Sequence, residues 1–277
     1  MLTILVGLSS AFSYATSDLL SQRVTRAARA LTQVAWVLVT GALIIVPVAL
    51  LVDGLPTGGA QWRAAGAAAL AGIAYFGAFV CLLRALHAGD LGLVSALNAL
   101  QGAYAAVVFV LLGQRLTPLL GVALVLCAAG AVLASVEGRA KTAKGVPWAV
   151  ASGLLFACVM VLYSYAHAIS WLSQAAISRS VSVLIAVPAA LLTGGFALPR
   201  ALRVTAVGAG VLELCGLMGF TIALAMGPLT VAAITSTQFG TFAVILGVVL
   251  LHERPRRHQW AGLACTLAGV TLLAVAL

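Results

Sequence analysis

The chain has 277 residues, of which 63% are hydrophobic and 8% charged, with a mean hydropathy of +1.17. Soluble domains carry roughly 25% charged residues, so this alphabet excludes a soluble enzyme, a disordered chain and a secreted disulfide scaffold, and points to an integral membrane protein. The formal charge of +9 comes from 15 basic and 6 acidic residues. The basic residues sit in short clusters between apolar runs, which reads as topology signals beside anionic lipid and not as nucleic-acid binding.

A helix needs about 20 apolar residues to cross the hydrocarbon core. In chain order, such runs fall at 2–22, 31–52, 64–86, 93–112, 118–136, 147–168, 175–194, 204–226, 230–250 and 259–277. All have helical periods, and the ten-residue alternation of a membrane barrel does not occur. The first run lacks the basic leader of a signal peptide and is read as span one. It carries Tyr14 and Asp18, with serines at helical spacing. Span two holds an internal proline, Pro47, and span seven another, Pro188. A proline inside a helix removes a backbone donor and kinks it, so these two are candidate hinges. Span four carries Ser95, Asn98 and Gln101 at i, i+3 and i+6; span nine carries Thr235, Gln238 and Thr241 at the same spacing. Trp62, Trp148, Trp171 and Trp260 fall at span ends, as an interfacial aromatic belt does. The five cysteines lie in apolar runs without a CxxC motif and are read as small apolar residues.

A charge at the centre of a span costs at least about 2.5–3.5 kcal/mol on insertion scales and is a functional hypothesis by default. Glu213 sits near the middle of span eight and Arg179 one turn into span seven; Asp18 and Arg84 lie nearer span ends. Arg179 and Glu213 are expected either to meet substrate or a proton, or to pair with each other. Tyr14, Ser95, Asn98, Gln101 and Gln238 are candidate linings of a polar cavity. Cofactor and metal sites are not expected: Walker A and GxSxG motifs do not occur, and the His252-Glu253…His258 spacing would not place both imidazoles on one helix face.

The two halves resemble each other. Gln33 and Pro47 match Gln174 and Pro188, Val46-Pro47-Val48-Ala49-Leu50-Leu51 matches Val187-Pro188-Ala189-Ala190-Leu191-Leu192, and each run reaches a glycine, Gly54 or Gly195. Gly72, Ala85-Leu86, Gly89 and Gly102 match Gly210, Ala223-Leu224, Gly227 and Gly240 without a gap. The expected organisation is two repeats, 1–138 and 145–277. An odd number of spans inverts the second copy, an arrangement typical of secondary transporters whose site lies near the midplane. In this register Glu213 falls opposite Tyr75 and Arg179 opposite Leu38, so duplication does not account for the charges.

With Ala85-Leu86-x-x-Gly89 and Ala223-Leu224-x-x-Gly227 ahead of spans four and nine, the chain resembles the EamA family of the drug/metabolite transporter superfamily. Short connectors at Gly113-Gln114-Arg115-Leu116-Thr117 and His252-Glu253-Arg254 match the family's Gly-Glu-Arg-type element, with Gln114 in place of its glutamate. The resemblance implies ten helices, a pathway lined by helices one to four and six to nine, peripheral helices five and ten, and export of small metabolites or drugs.

The expected fold is therefore an all-α membrane protein of ten helices in two inverted five-helix repeats. The expected function is secondary transport of a small organic solute by alternating access, with protons as a possible co-substrate and Glu213 as the titrating candidate. The alternative is a divalent-cation transporter or channel; an enzyme is not expected. The expected partners are the solute, protons and the bilayer, in a monomer or homodimer. Arg23, Arg26, Arg29, Arg139, Lys141, Lys144, Arg200, Arg203, Arg254, Arg256 and Arg257 flank one side of the spans, against Arg63 and Arg115 on the other. The positive-inside rule then places both termini outside the cell membrane. Relatives are drawn with cytoplasmic termini; the charge count belongs to this chain and is followed.

Overall fold

The computed structural model describes residues 1–25, 28–88, 98, 100–113, 117–135, 145–193, 195–251 and 257–276. The helices are α1 (Leu2–Thr25), α2 (Ala30–Val52), α3 (Gly59–Ala88), α4 (Gln101–Leu111), α5 (Pro118–Ser135), α6 (Val146–Tyr165), α7 (Trp171–Thr193), α8 (Arg200–Met226), α9 (Leu229–Ser236), α10 (Phe239–Leu251) and α11 (Arg257–Ala276). Among the described residues, five segments are long and apolar enough to cross a membrane: Leu31–Val52, Gly59–Leu82, Val146–Tyr165, Trp171–Thr193 and Arg200–Met226.

Local chemistry sets the helix ends. Pro118 opens α5 and Pro147 lies in the first turn of α6, where a missing N–H costs no intrahelical bond. Gly54 and Gly195, the two glycines matched by the repeat, follow α2 and α7 with φ of 70° and 91°. Only glycine adopts that backbone freely, so both chains turn at equivalent points. Gly227-Pro228 separates α8 from α9.

One boundary differs from the sequence expectation. The continuous span at 230–250 is two helices, α9 and α10, interrupted at Thr237-Gln238. The hydroxyl of Thr237 donates to the carbonyl of Ile234 at 3.1 Å, and the Gln238 amide donates to the same oxygen at 3.1 Å. Side chains that bond nearby backbone compete with the helical ladder. In span four a turn residue, Leu100, precedes α4 at the matching place.

Packing shows the two-fold relation of the halves. α1 lies along α8 as α6 lies along α3; α2 packs on its own counterpart α7; and α5 packs along α11. α2 contacts α8 as α7 contacts α3, and α1 contacts α9 and α10 as α6 contacts α4. α2 and α7 run antiparallel. At one end the Ser173 hydroxyl donates to Asp53 at 2.7 Å, and Ser170 donates to the same carboxylate. At the other end Thr32 donates to the Gly195 carbonyl at 3.0 Å and Trp36 to that of Phe196 at 2.8 Å. Equivalent helices running in opposite directions are what an inverted repeat requires.

The helices meet on small residues. A Cβ at Gly210 would lie 3.0 Å from the Val37 carbonyl, and one at Gly72 would fall on the Ser178 carbonyl. Val37 and Ser178 occupy matching repeat positions, so one close contact is built twice. Outward faces are apolar: Leu51 and Leu192 are 86% and 87% exposed, as suits a lipid-facing surface.

Candidate functional site

The apolar core of α2, α3, α6, α7 and α8 encloses the two mid-span charges. Arg179 on α7 is 1% exposed and Glu213 on α8 3%. Their side chains form an ion pair, Nη2 to Oε2 at 2.6 Å, and Nη2 also donates to Oε1 at 2.9 Å. Tyr75 of α3 donates its hydroxyl to Oε1 of the same carboxylate. The guanidinium lies 5.2 Å over the Tyr75 ring centroid, within cation–π range. Arg179 Nε and Nη1 have no hydrogen-bond partner among the described residues, and Gly41 leaves room for the guanidinium, since a Cβ there would lie 3.3 Å from Nε.

Symmetry explains why these positions are not alike. Tyr75 and Glu213 are repeat mates, and they touch each other. Residues that meet their own mates lie at the two-fold relation, where exact duplication would oppose like with like. Two glutamates there would repel, and two arginines in place of Leu38 and Arg179 would bury an excess of positive charge. The pair Tyr/Glu gives a donor and an acceptor; Leu/Arg supplies one cation for one carboxylate.

In front of Tyr75 lies a cavity lined from both repeats. α1 contributes Tyr14 and Asp18, α3 contributes Tyr75 and Phe79, and α6 contributes Phe156 and Tyr163. Asn98, Gln101 of α4, Phe220 of α8, Ser236 of α9 and Phe239 of α10 also line it, with aliphatic side chains between them. Tyr75, Phe79 and Phe156 form an edge-to-face trio with centroids 5.1–5.6 Å apart. Gly216 on α8 lets the Tyr14 ring lie flat against its backbone, a Cβ there coming within 2.8 Å of the ring. Asp18 is an exposed residue lining this cavity.

The sequence candidates do not all meet at one place. Asp18, Tyr14, Asn98 and Gln101 line the cavity, whereas Arg179 and Glu213 are buried beside it, with Tyr75 in contact with both cavity and pair. Gln238, 1% exposed, is bound to the Ile234 carbonyl and reaches that of Cys127 at 3.5 Å, so it joins α9, α10 and α5 away from the cavity. Pro47 and Pro188 lie inside α2 and α7 at equivalent positions. Ser95 falls outside the described residues, as do the connectors at Gln114–Leu116 and His252–Arg256. Several serines of the polar stripes join helices instead: Ser10 donates to the Gly216 carbonyl at 2.6 Å, Ser17 to Ala209 at 2.8 Å and Ser182 to Gly72 at 2.8 Å. Arg84 stacks over Trp148 at 4.8 Å. The lining also departs from the pathway implied by the resemblance, because α2 and α7 face the ion pair and each other and do not line this cavity.

The sequence did not single out Phe79, Phe156 or Tyr163 as lining residues, and Tyr75 stood out only as the counterpart of Glu213.

An all-helical, two-fold chain with apolar outer faces and a polar-edged cavity between its halves is a multi-pass membrane protein. Both halves match the EamA-like transporter family, over residues 1–136 and 143–275, and the chain belongs to that family, within the drug/metabolite transporter superfamily. A solved crystal structure of a protein 16% identical in sequence superposes with a TM-score of 0.81, covering 99% of this chain and 96% of that one, which shows a shared fold. No curated protein matches the sequence.

Proposed function

We propose that the chain is a secondary transporter that exports a small organic solute by alternating access, with the cavity between its repeats as the substrate site. The observation that carries this reading is the lining: residues of α1, α3, α4, α6, α8 and α10 converge from both halves on one pocket. A site shared by two inverted units is exposed to opposite membrane faces when one unit rocks against the other. Pro47 and Pro188, one in each of the antiparallel helices α2 and α7, serve as hinges of that motion.

Coupling to protons runs through the buried pair. Protonation of Glu213 removes the charge that holds Arg179, so it loosens the packing of α7 against α3 and α8. The rival reading, a divalent-cation transporter or channel, needs converging carboxylates; of the two in the spans, Glu213 is committed to Arg179. The test is solute efflux from proteoliposomes, using hits from a metabolite survey of cells with and without the protein. Efflux driven by a pH gradient in the wild type, and uncoupled from it in Glu213→Gln, is the expected result. Full pH-dependent transport by Glu213→Gln overturns the coupling role, and divalent-cation flux without organic efflux favours the rival.

A further inference from the structure

We infer, resting on the transporter reading above, that the cavity selects organic cations with a flat apolar body, and that the Asp18 carboxylate is their counter-ion. Three observations converge on this. Asp18 carries the only charge among the described residues that line the cavity. The nearby cation, Arg179, is 1% exposed, bound to Glu213 and set over the ring of Tyr75, so its charge is committed away from a ligand. Two lining residues each carry a buried polar atom with no partner among the described residues: Oε1 of Gln101, a residue 8% exposed, and Oγ of Ser236, a residue 2% exposed.

These groups share one preference. Asp18 is exposed but stands beside low-dielectric aromatic walls, where a carboxylate attracts a cation more strongly than in open water. The faces of Tyr14, Phe79, Phe156 and Phe239 carry the negative side of the ring quadrupole and favour a cation within about 6 Å. The Gln101 carbonyl oxygen accepts an N–H, which a primary, secondary or tertiary ammonium provides. An aromatic carboxylate would meet like charge at Asp18 and leave Gln101 Oε1 without a donor.

The test is calorimetric titration of the purified, detergent-solubilised protein with four ligands of similar ring and length: 2-phenylethylammonium, phenylalanine, 3-phenylpropionate and 3-phenylpropanol. The amine is expected to bind at least tenfold more tightly than each of the others. Asp18→Asn is expected to weaken the amine tenfold or more, and Asp18→Glu to keep it within about threefold, both at an unchanged thermal midpoint. Gln101→Leu gives an independent readout should the Asp18 variants not fold: it is expected to weaken 2-phenylethylammonium but not its N,N,N-trimethyl analogue, which has no N–H to donate. Equal or tighter binding of the carboxylate, the zwitterion or the alcohol overturns the inference, as does binding of none of the four or a fully active Asp18→Asn. Amine binding that depends on Asp18, in a protein that moves no solute across proteoliposomes, supports this inference and overturns the transporter reading instead.

Discussion

Arg179, Glu213 and Tyr75 form a buried, mutually bonded cluster, and its energetics are asymmetric. Removing one member of a buried ion pair leaves an uncompensated charge and costs about 3–5 kcal/mol, whereas replacing both with apolar residues is often neutral. Arg179→Met and Glu213→Leu are therefore each expected to lower the thermal midpoint in detergent strongly. The double variant is expected to recover most of the loss. Two losses that simply add would show that the pair contributes nothing as a pair. Glu213 and Arg179 were legible as candidates because any charge stands out in an apolar span. Their mutual contact stood only as one of two open readings, because 34 residues and a helix reversal separate them. Gln238 was legible as polar but not as structural: a stripe at i, i+3 and i+6 marks a face, and the packing of α10 on α5 decides what that face meets.

At the scale of the helices, close approach depends on glycines at repeated positions. Gly72 and Gly210 bring α3 onto α7 and α8 onto α2, each against the backbone of Val37 or its mate Ser178. A side chain there meets backbone, which cannot turn aside as a flexible side-chain tip can. Gly72→Val and Gly210→Val are each expected to destabilise by about 1–3 kcal/mol, the usual cost of overpacking. Loss of solubilised, monodisperse protein with a lowered thermal midpoint is the measurement, with Gly66→Val on the open face of α3 as the tolerated control. These glycines were visible in the repeat, yet the sequence could not say which surface each approaches. The break between α9 and α10 was missed for a related reason. Thr237 and Gln238 lie in a polar stretch, 235–241, inside an otherwise apolar run, and the interruption arises from hydrogen bonds to Ile234, which hydropathy does not record.

For the whole molecule, the charge bias of the connectors predicts the way the chain sits in the bilayer. Arg23, Arg29, Arg200, Arg203 and Arg257 lie at helix ends on the basic side, and Arg63 lies at the start of α3 on the other. With both termini outside, a C-terminal reporter that is active only in the cytoplasm stays silent, and one active only outside gives signal. The opposite pattern reverses the orientation without altering the fold. Trp62 and Trp260, 60% and 57% exposed at the starts of α3 and α11, stand where an interfacial belt would hold them.

The sequence by itself determined the solvent, the all-helical class, the duplication and the inversion that follows from an odd repeat. All of these rest on composition and local periodicity, which survive without knowledge of neighbours. It also exposed the rare charges, since each costs several kcal/mol to bury alone. The tertiary structure decided what each charge does. It closed Arg179 on Glu213, set Tyr75 against both, and left Asp18 facing an aromatic cavity. The reason is geometric: the fate of a buried charge depends on what the opposite repeat places within a few ångströms of it, and that distance is set by the packing of antiparallel helices far apart in the chain.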